Sequence, residues 1–361
     1  MAINKTVNGG ESLAYPDVVR ALYQGILERP VDESGFRSYL DALQKGAPLT
    51  RLIRGMIESD EFKIRHPIKT GRGFLPDLTE MYPEKYLRKK DDFSIFEASS
   101  DDDFRLIESL IVKHRFYDSN DVYSSGIDLD KHVTGAIVRG LGARTCIEMG
   151  CFAGPVLSVL ADQGIDVCGI EVSHLAFVLA YNNIREKLRY GDLLELQFDR
   201  TYDVFVGMDV LEHLNPLNLG NYIHRISKLV RGDGFVFINS PMFGHDDVFG
   251  TPFDAYVPEW QHAGEDDFWR HLHCDGKGWP VHGHLVFASP KWWEDAFLKQ
   301  GLVRDRTIER SIQSILKTFF DKVAPARRSF FVLRHSESRP NTLRILRDLE
   351  FAISPVVANI S

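Results

Sequence analysis

From about residue 131 the sequence alternates between short apolar strands and amphipathic helices. RTCIEMG, DVCGIEV, YDVFVGMDVL and GFVFINS predict strands, and AGPVLSVLADQG, SHLAFVLAYNNIREKL and LGNYIHRISKLV predict the helices between them. PKWWEDAFLKQG predicts a later helix, and LVRDRTIE and RSFFVLRH predict two further strands. Strands that are hydrophobic on both faces indicate a parallel sheet covered on both sides, so the fold class is α/β.

The turn after the first of these strands, in TCIEMGCFAGPV, bears on the kind of ligand. A dinucleotide fold has glycines at G-x-G-x-x-G spacing, which counted from Gly150 requires glycine at 152 and 155. The chain has Phe152 and Pro155 there. Proline at the first helical position removes an N–H group that could donate to a phosphate. The turn is therefore a poor phosphate site, and a cofactor without a phosphate fits better.

Acidic residues follow the next strands. Glu171 ends the second strand, where a carboxylate can accept hydrogen bonds from a ribose diol. Asp192, in GDLLEL, can reach an adenine amine, although GD is also a common turn sequence. Asp209 and a Glu-His pair follow in DVLEHL, at a carboxyl end of a strand where open α/β sheets bind ligands.

IEMGCFAG, GIEVS, GDLLEL, DVLEHL and RGDGFVFINSP occur in the order and spacing of class I S-adenosylmethionine-dependent methyltransferases, which residues 131–335 resemble. The resemblance implies a Rossmann-like sheet of seven strands, the last one antiparallel. It also implies a methyltransferase that uses S-adenosylmethionine as its cofactor. The chain departs from the family at Phe152, where glycine is usual, and this aromatic ring could itself form a wall of the site.

The resemblance implies a cofactor site that contains Glu148, Gly150, Cys151, Phe152, Gly154, Glu171, Asp192 and Asp209. Glu148, Gly150 and Gly154 would surround the methionine part of the cofactor. Glu171 would bind the ribose, Asp192 would lie near the adenine, and Asp209 would lie beside the reacting methyl group. Two alternatives stay open at this point: Glu148 could stand behind the residues that touch the cofactor, and Glu171 could be an ordinary exposed strand end.

A long insertion, residues 241–289, follows the strand that ends in FINSP and should cover the crevice. The tryptophans cluster in or beside it, as Trp260, Trp269, Trp279, Trp292 and Trp293. Its histidines are His245, His262, His271, His273, His282 and His284. Aromatic faces and fixed polar groups suit a polyhydroxylated acceptor, but such residues also suit a structured lid with a core of its own.

A hydroxyl acceptor benefits from a base within hydrogen-bond reach. The candidates for catalysis are His213, His282, His284 and Asp209, with Asp246 as a further possible base. In an extended segment, the two histidines of VHGH point to the same side, and Gly283 lets the backbone approach a ligand. His213 could equally be a core-facing cap residue. HLHC and VHGH each place two ligand types close together, but no carboxylate–histidine spacing completes a metal site, so none is predicted.

The first segment resembles a helical module of unknown function from bacterial surface-layer and glycan-assembly proteins, on the pattern ALYQGILERPVDESGFRSYLDAL. Its apolar faces predict three short helices in a small bundle. We expect this module at residues 1–66, a linker and helical cap at 67–130, the sheet domain at 131–335 and a tail at 336–361. KKDDFSIFEASSDDDF is interpreted as a solvated connection, and the four cysteines as buried apolar residues.

A net charge of −8 argues against a nucleic-acid partner. The N-terminus lacks an apolar signal region and no stretch is long enough to span a bilayer, so we expect a cytoplasmic protein. The leading hypothesis is O-methylation of a sugar in bacterial glycan biosynthesis, with a small-molecule or glycan acceptor. A peripheral association with a glycan-assembly complex is compatible with this hypothesis. Alternatives are a small phenolic, quinone-like or amino acceptor, and a catalytically silent cofactor-binding interaction protein.

Overall fold

The computed structural model describes residues 14–27, 29–57, 59, 61–62, 75–89, 93–114, 116–118, 126–253, 270–358 and 360. The chain forms two compact units. One contains Met1–Phe74 with Ser119–Asp121, and the other contains Leu75–Asp118 with Val122–Ser361. Of the helices in the described residues, none combines the length and apolar character needed to cross a lipid bilayer.

The first unit is helical, as the apolar pattern predicts. Its described helices are Tyr15–Ile26, Glu33–Gln44 and Leu49–Ile57. The second helix begins at an N-cap, where the Asp32 carboxylate accepts a hydrogen bond from the Gly35 N–H at 2.8 Å. Together the helices bury a small core of Val19, Tyr23, Leu27, Leu43, Met56 and Phe62. None of these helices could bury its apolar face alone, so their mutual packing stabilises the unit.

The second unit contains two sheets. The described strands are β1 (Tyr86–Lys89), β2 (Phe93–Glu97), β3 (Thr145–Met149), β4 (Asp166–Glu171), β5 (Leu188–Tyr190), β6 (Tyr202–Met208), β7 (Val230–Asn239), β8 (His271–Asp275), β9 (Leu302–Arg304) and β10 (Phe330–His335). The larger sheet has seven strands in the order β5-β4-β3-β6-β7-β10-β9. β3 to β7 pair in parallel, whereas β10 is antiparallel to β7 and β9. The predicted seven-stranded α/β sheet with an antiparallel last strand is confirmed.

Helices cover both faces of this sheet, and alternate residues of each strand point to opposite sides. On β10, Phe330 and Val332 face one core, whereas Phe331 and Leu333 face the other. The first core contains residues of five described helices, namely Leu129–Gly140, Pro155–Asp162, Arg306–Ile315, Lys317–Lys322 and Thr342–Val357. The second contains residues of Leu219–Leu229 and Pro290–Leu298. Burial on both sides explains why the parallel strands are apolar throughout.

The last helix packs closely on the first helix of the sheet domain. A Cβ atom added at Gly140 would lie 2.7 Å from the Leu349 Cα, so only glycine permits this backbone approach. Leu349 itself is fully buried. The segment after Ser336, which the sequence pattern describes only as a mildly amphipathic tail, is therefore part of the core.

Three strands form a smaller antiparallel sheet in the order β1-β2-β8. β8 comes from the insertion, and Phe96 of β2 pairs with Leu272 of β8. We call the described residues of 75–118 and 270–285 the cap. The cap has its own apolar core, in which Trp279 is fully buried and donates from its Nε1 to the Pro76 carbonyl at 2.9 Å. The alternative of a structured lid with a core of its own therefore holds for this tryptophan.

Several sequence-based boundaries are wrong. The solvated connection predicted for KKDDFSIFEASSDDDF contains strand β2, whose Phe96 is fully buried because β8 pairs beside it. The helix predicted for SHLAFVLAYNNIREKL ends at Leu179. LVRDRTIE is strand only to Arg304, because Asp305 caps a new helix by accepting from the Ile308 N–H at 3.2 Å. All four cysteines are buried and free, as predicted.

Candidate active site

The carboxyl ends of the parallel strands open into a pocket of about 640 Å³, within the usual range for small-molecule sites. The predicted cofactor residues that line it are Glu148, Gly150, Cys151, Phe152, Glu171, Asp192 and Asp209. The predicted catalytic histidines His213, His282 and His284 line it as well. Gly154 does not line the pocket. It is the N-cap of the helix Pro155–Asp162, with a left-handed φ of 75°.

The turn after β3 requires left-handed backbone at three positions. Gly150, Phe152 and Gly154 have φ of 67°, 46° and 75°. A Cβ at Gly150 would lie 2.6 Å from the Val210 Cγ2, so glycine is needed there for space as well as conformation. Phe152 adopts a conformation that bulky residues rarely tolerate, and its ring is buried against Ala153 and Ala176. The family's usual glycine is thus replaced by a phenylalanine that keeps the glycine conformation.

Glu171 holds two turns of the site together. Its carboxylate accepts hydrogen bonds from the backbone N–H groups of Phe152 at 2.8 Å, Val172 at 2.7 Å and Ser173 at 2.8 Å. The side chain is buried, so the alternative of an exposed strand end is wrong. A carboxylate oxygen can accept more than one hydrogen bond, which leaves acceptor capacity toward the pocket.

Glu148 lies on β3, buried below the same turn. Within the described residues, its Oε2 has no hydrogen-bond partner. Burial raises the pKa of Glu148 to about 8, and the nearby Glu171 carboxylate adds to the effect. A buried carboxyl without a partner on a pocket wall fits a ligand that brings a positive charge, such as the ammonium or sulfonium group of S-adenosylmethionine.

Asp192 follows β5, where it both stabilises a turn and lines the pocket. Its Oδ1 accepts from the Leu194 N–H at 2.7 Å, which stabilises the turn. Its Oδ2 accepts from the Tyr222 hydroxyl on the helix Leu219–Leu229. Tyr222 also lines the pocket, and nothing in the local sequence pattern marks it as a site residue.

Asp209 follows β6 with a left-handed φ of 49°, a strained conformation of the kind that clusters at functional sites. Its carboxylate accepts from the Arg327 guanidinium. Arg327 also donates to the Asn239 Oδ1 at 2.7 Å and to the Asp130 Oδ2 at 2.9 Å. Asp209 is therefore held in an ion pair rather than left available to take a proton from an acceptor.

His213, His282 and His284 lie together at the other end of the pocket. The ring centroids of His213 and His284 are 4.9 Å apart, and those of His282 and His284 are 5.6 Å apart. The predicted extended conformation is wrong, because Val281–Gly283 forms a single helical turn with His282 at a φ of 56°. Gly283 gives close access not to a ligand but to Tyr117, whose hydroxyl donates to the Gly283 carbonyl at 3.0 Å.

Glu212, which the sequence analysis did not select, lies fully buried beside these histidines. Its Oε2 accepts from the Ser240 hydroxyl at 3.0 Å, and its Oε1 lies 4.0 Å from the His284 Nε2. Burial raises the pKa of Glu212 well above its usual value, with the Asp209 charge adding. Burial also lowers the pKa of His213 to about 4 and that of His284 below its usual value, so both imidazoles are neutral at pH 7.

Two other sequence predictions are corrected. Asp246 is not a base of this site, because its carboxylate is buried in an ion pair with Arg304, with Oδ2 to Nη1 at 2.7 Å. The three tryptophans among the described residues do not form an acceptor platform: Trp279 is in the cap core, and Trp293, beside Trp292, is buried in the sheet core. Trp260, Trp269 and His262 lie outside the described residues.

The chain is similar to known proteins in two regions. Residues 128–303 match the family model described as a methyltransferase domain. The sheet domain is thus similar to methyltransferase domains. Its seven-stranded sheet, with β10 antiparallel, is the fold of the S-adenosylmethionine-dependent methyltransferases, whose cofactor is S-adenosylmethionine. Residues 8–66 match a domain of unknown function, DUF4214.

Curated relatives of the methyltransferase domain include two named as ubiquinone biosynthesis O-methyltransferases. That of Nitrosomonas europaea is 26% identical over 140 residues, covering 36% of this chain and 58% of the relative. That of Aliivibrio fischeri (strain MJ11) is 30% identical over 110 residues, covering 28% and 46%. The chain thus spans about half the length of the curated relatives it matches.

A solved structure with a similar fold is CalS10, an amino pentose methyltransferase from Micromonospora echinaspora with S-adenosylmethionine bound. It is 14% identical, with a TM-score of 0.40, and the match covers 62% of this chain and 96% of that one.

Proposed function

We propose that the chain is an S-adenosylmethionine-dependent O-methyltransferase, which transfers a methyl group to a hydroxyl of a sugar in bacterial glycan biosynthesis. The observation that carries the transferase activity is one pocket with two chemically different ends. One end has the buried carboxyl of Glu148 and the acceptor groups of Glu171 and Asp192. The other has the half-buried His213 and His284 beside the buried Glu212, with the exposed His282 next to them.

The cofactor supplies an electrophilic methyl group on a positively charged sulfur. In our proposal, Glu148 pairs with the positive charge of its methionine part and Glu171 accepts hydrogen bonds from its ribose. Asp192 and Tyr222 lie at the wall nearest the end of β5 and would bound the adenine. Methyl transfer requires the carbon, the acceptor oxygen and the leaving sulfur in line, so these contacts contribute mainly by positioning.

The histidine end of the pocket supports a hydroxyl acceptor. Tyr117, His213, His282 and His284 offer ring nitrogens and a hydroxyl that can hydrogen-bond to an acceptor's hydroxyl groups. The sugar class rests on this polar lining and on the resemblance of the N-terminal module to glycan-assembly proteins. Among the described residues, the aromatic rings that line the pocket and could stack on a sugar face are those of Tyr117, Phe152, Tyr222, Phe253 and the three histidines.

A second candidate is a phenolic or quinone-like acceptor. It is favoured by the curated relatives, which are named as ubiquinone biosynthesis O-methyltransferases. A phenol loses its proton more readily than a sugar hydroxyl does, with a pKa near 10 for tyrosine as a guide, so it depends less on a base.

The test uses the purified full chain with a methyl-labelled cofactor and three acceptor panels: nucleotide-linked sugars with oligosaccharides, catechols with hydroquinones, and amines. Product is detected by mass spectrometry. Methylated sugar from the first panel alone supports the proposal. Methylation confined to the catechol panel replaces it with the second candidate, and binding of cofactor without product in any panel contradicts both. Glu171→Ala serves as the negative control, because it removes the ribose contact and leaves the histidine cluster intact.

A further inference from the structure

We propose that Glu212, His213 and His284 bind a divalent transition-metal ion, with open coordination positions that face the pocket. Each residue offers one ligand atom, and these atoms lie within 4.8 Å of one another. The sequence analysis predicted no metal because no linear spacing joined a carboxylate to two histidines. In three dimensions the turn at Val281–Gly283 brings His284 to the Glu212-His213 pair, so that objection does not hold.

The outer atoms of two ligands are already engaged in hydrogen bonds. The His213 Nδ1 lies 3.3 Å from the Gly283 carbonyl, which acts only as an acceptor. Nδ1 therefore carries the proton, and the lone pair is on Nε2. The Glu212 Oε2 accepts from the Ser240 hydroxyl at 3.0 Å, which leaves Oε1 toward the histidines. Metal-binding histidines and carboxylates are usually oriented by such outer hydrogen bonds.

One inner atom is unsatisfied among the described residues. The Glu212 Oε1 is fully buried and has no hydrogen-bond partner. Its distance of 4.0 Å from the His284 Nε2 is too long for a hydrogen bond but within reach of a shared ion after a small contraction. A buried carboxylate oxygen without a partner is costly, and a cation between the three side chains would remove that cost.

The donor set indicates the class of ion. Two imidazoles and one carboxylate suit zinc, iron or manganese rather than calcium, which prefers oxygen donors throughout. Three protein ligands leave at least one position for water or substrate, as in catalytic rather than structural zinc sites. All three residues line the pocket, so that position is open to an acceptor.

The role we infer for the ion rests on the proposed function. Coordination lowers the pKa of a bound water from 15.7 to about 7, and an acceptor hydroxyl bound in the same way is acidified likewise. The acceptor's proton passes to the His282 imidazole or to water. The resulting oxygen anion then attacks the methyl carbon, the new O–C bond forms as the C–S bond breaks, and the sulfur leaves as a neutral thioether.

Metal binding is measured on the full chain, without any acceptor. The protein is stripped with a chelator, dialysed, and titrated with Zn²⁺ or Mn²⁺ alone by calorimetry, and Co²⁺ is added to record visible absorption bands. Wild type should bind one ion per chain. Ser240→Ala removes an outer contact and should weaken binding roughly 10–100-fold, and Glu212→Gln and His284→Ala should weaken it more.

His245→Ala is the matched control, because His245 is an exposed histidine of the same insertion that does not line the pocket. Cofactor binding measured in parallel identifies variants that fold; if Glu212→Gln does not fold, Ser240→Ala decides. Equal affinity in all four variants and wild type, or no binding by wild type at micromolar metal, overturns the proposal. Methyl transfer at full rate in excess chelator overturns the activating role alone. Metal binding without methyl transfer to any acceptor contradicts the proposed function but leaves the site standing.

Discussion

Arg327 donates to the carboxylate of Asp209 and so joins the strained turn after β6 to the segment that precedes β10. The same guanidinium also holds Asn239 and Asp130, so three elements meet at one side chain on the pocket wall. Burial alone would lower the pKa of Arg327, but the carboxylates of Asp209 and Asp130 raise it instead, so the guanidinium stays charged.

Replacing this arginine should therefore affect the site more than the fold. Arg327→Ala leaves Asp209 without its cation, whereas Asp130 keeps the Lys131 ammonium at 3.4 Å, and we expect a loss of roughly 1.5–3 kcal/mol of stability, toward the lower figure because Asp209 is 44% exposed. Turnover should fall with cofactor affinity, since Asp209 would relax from its left-handed conformation. Thermal unfolding measures the change in stability, and calorimetry measures the change in cofactor affinity. Arg327→Lys should recover part of each, and unchanged cofactor affinity in Arg327→Ala would contradict the positioning role.

Glu171→Ala should weaken cofactor binding by roughly 1.5–3 kcal/mol, the range for hydrogen bonds to a charged group, which is about 10–150-fold in Kd. The three backbone N–H groups that it holds would also lose their partner, so the two turns should loosen. Calorimetry with S-adenosylmethionine measures the effect. Glu350→Ala, on the exposed face of the last helix, is the matched control, and NAD is the control ligand. Tighter binding of NAD than of S-adenosylmethionine would refute the cofactor assignment.

Because of Glu148, we expect the free energy of unfolding to fall as the pH rises, and the affinity for a positively charged cofactor to increase. Its pKa rises from about 4.3 in the unfolded chain to about 8 in the fold, so its contribution to stability is complete below about pH 4 and is lost as pH rises through 8. Glu148→Gln should therefore raise the melting temperature relative to wild type more at pH 9 than at pH 6, and have the least effect near pH 4. In wild type, binding of a positively charged cofactor should strengthen between pH 6 and 8, with release of a proton. A wild-type Kd that does not change over this range would exclude Glu148 as the partner of that charge.

His282→Ala should lower turnover on the order of 10²–10⁴-fold with cofactor binding intact, the usual effect of removing a general base. Steady-state kinetics and calorimetry separate this from a structural role, in which melting temperature and cofactor affinity would fall together. The double variant His282→Ala, His284→Ala should be more impaired than either single variant. Full activity of the double variant would shift the search for a base to His213.

Removal of the first 66 residues should leave cofactor affinity unchanged. These residues include the DUF4214 match and belong to a separate compact unit with its own buried core. Activity on a small soluble acceptor should survive as well, whereas recruitment to a long glycan could drop. The same calorimetry on the truncated chain is the test, with circular dichroism as the control for folding. A folded truncated protein that binds no cofactor would refute the prediction that the first 66 residues are not needed for cofactor binding.

The sheet was predictable because its signal is local. Each parallel strand is a short apolar run, and the turns after β3 and β4 carry Gly150 and Glu171 at family spacing. β2 was not predictable, because five residues in a charged stretch become a strand only when β8 pairs beside them. Glu212 was visible in DVLEHL, but its importance depends on His284, which reaches it through a turn that the pattern VHGH does not encode. Arg327 had no sequence signal, since its partners come from three separate elements.

The pairing of β2 with β8 has a consequence for how the chain is made. Phe96 of β2 pairs with Leu272 of β8, which is synthesised much later. During synthesis, this edge of β2 therefore stays unpaired until most strands of the larger sheet have left the ribosome. Contacts between such distant residues form slowly, and an exposed apolar edge can pair with other chains in the meantime. We therefore expect the cap to be the last part of the second unit to fold, and nascent chains that stop before residue 271 to aggregate or bind chaperones.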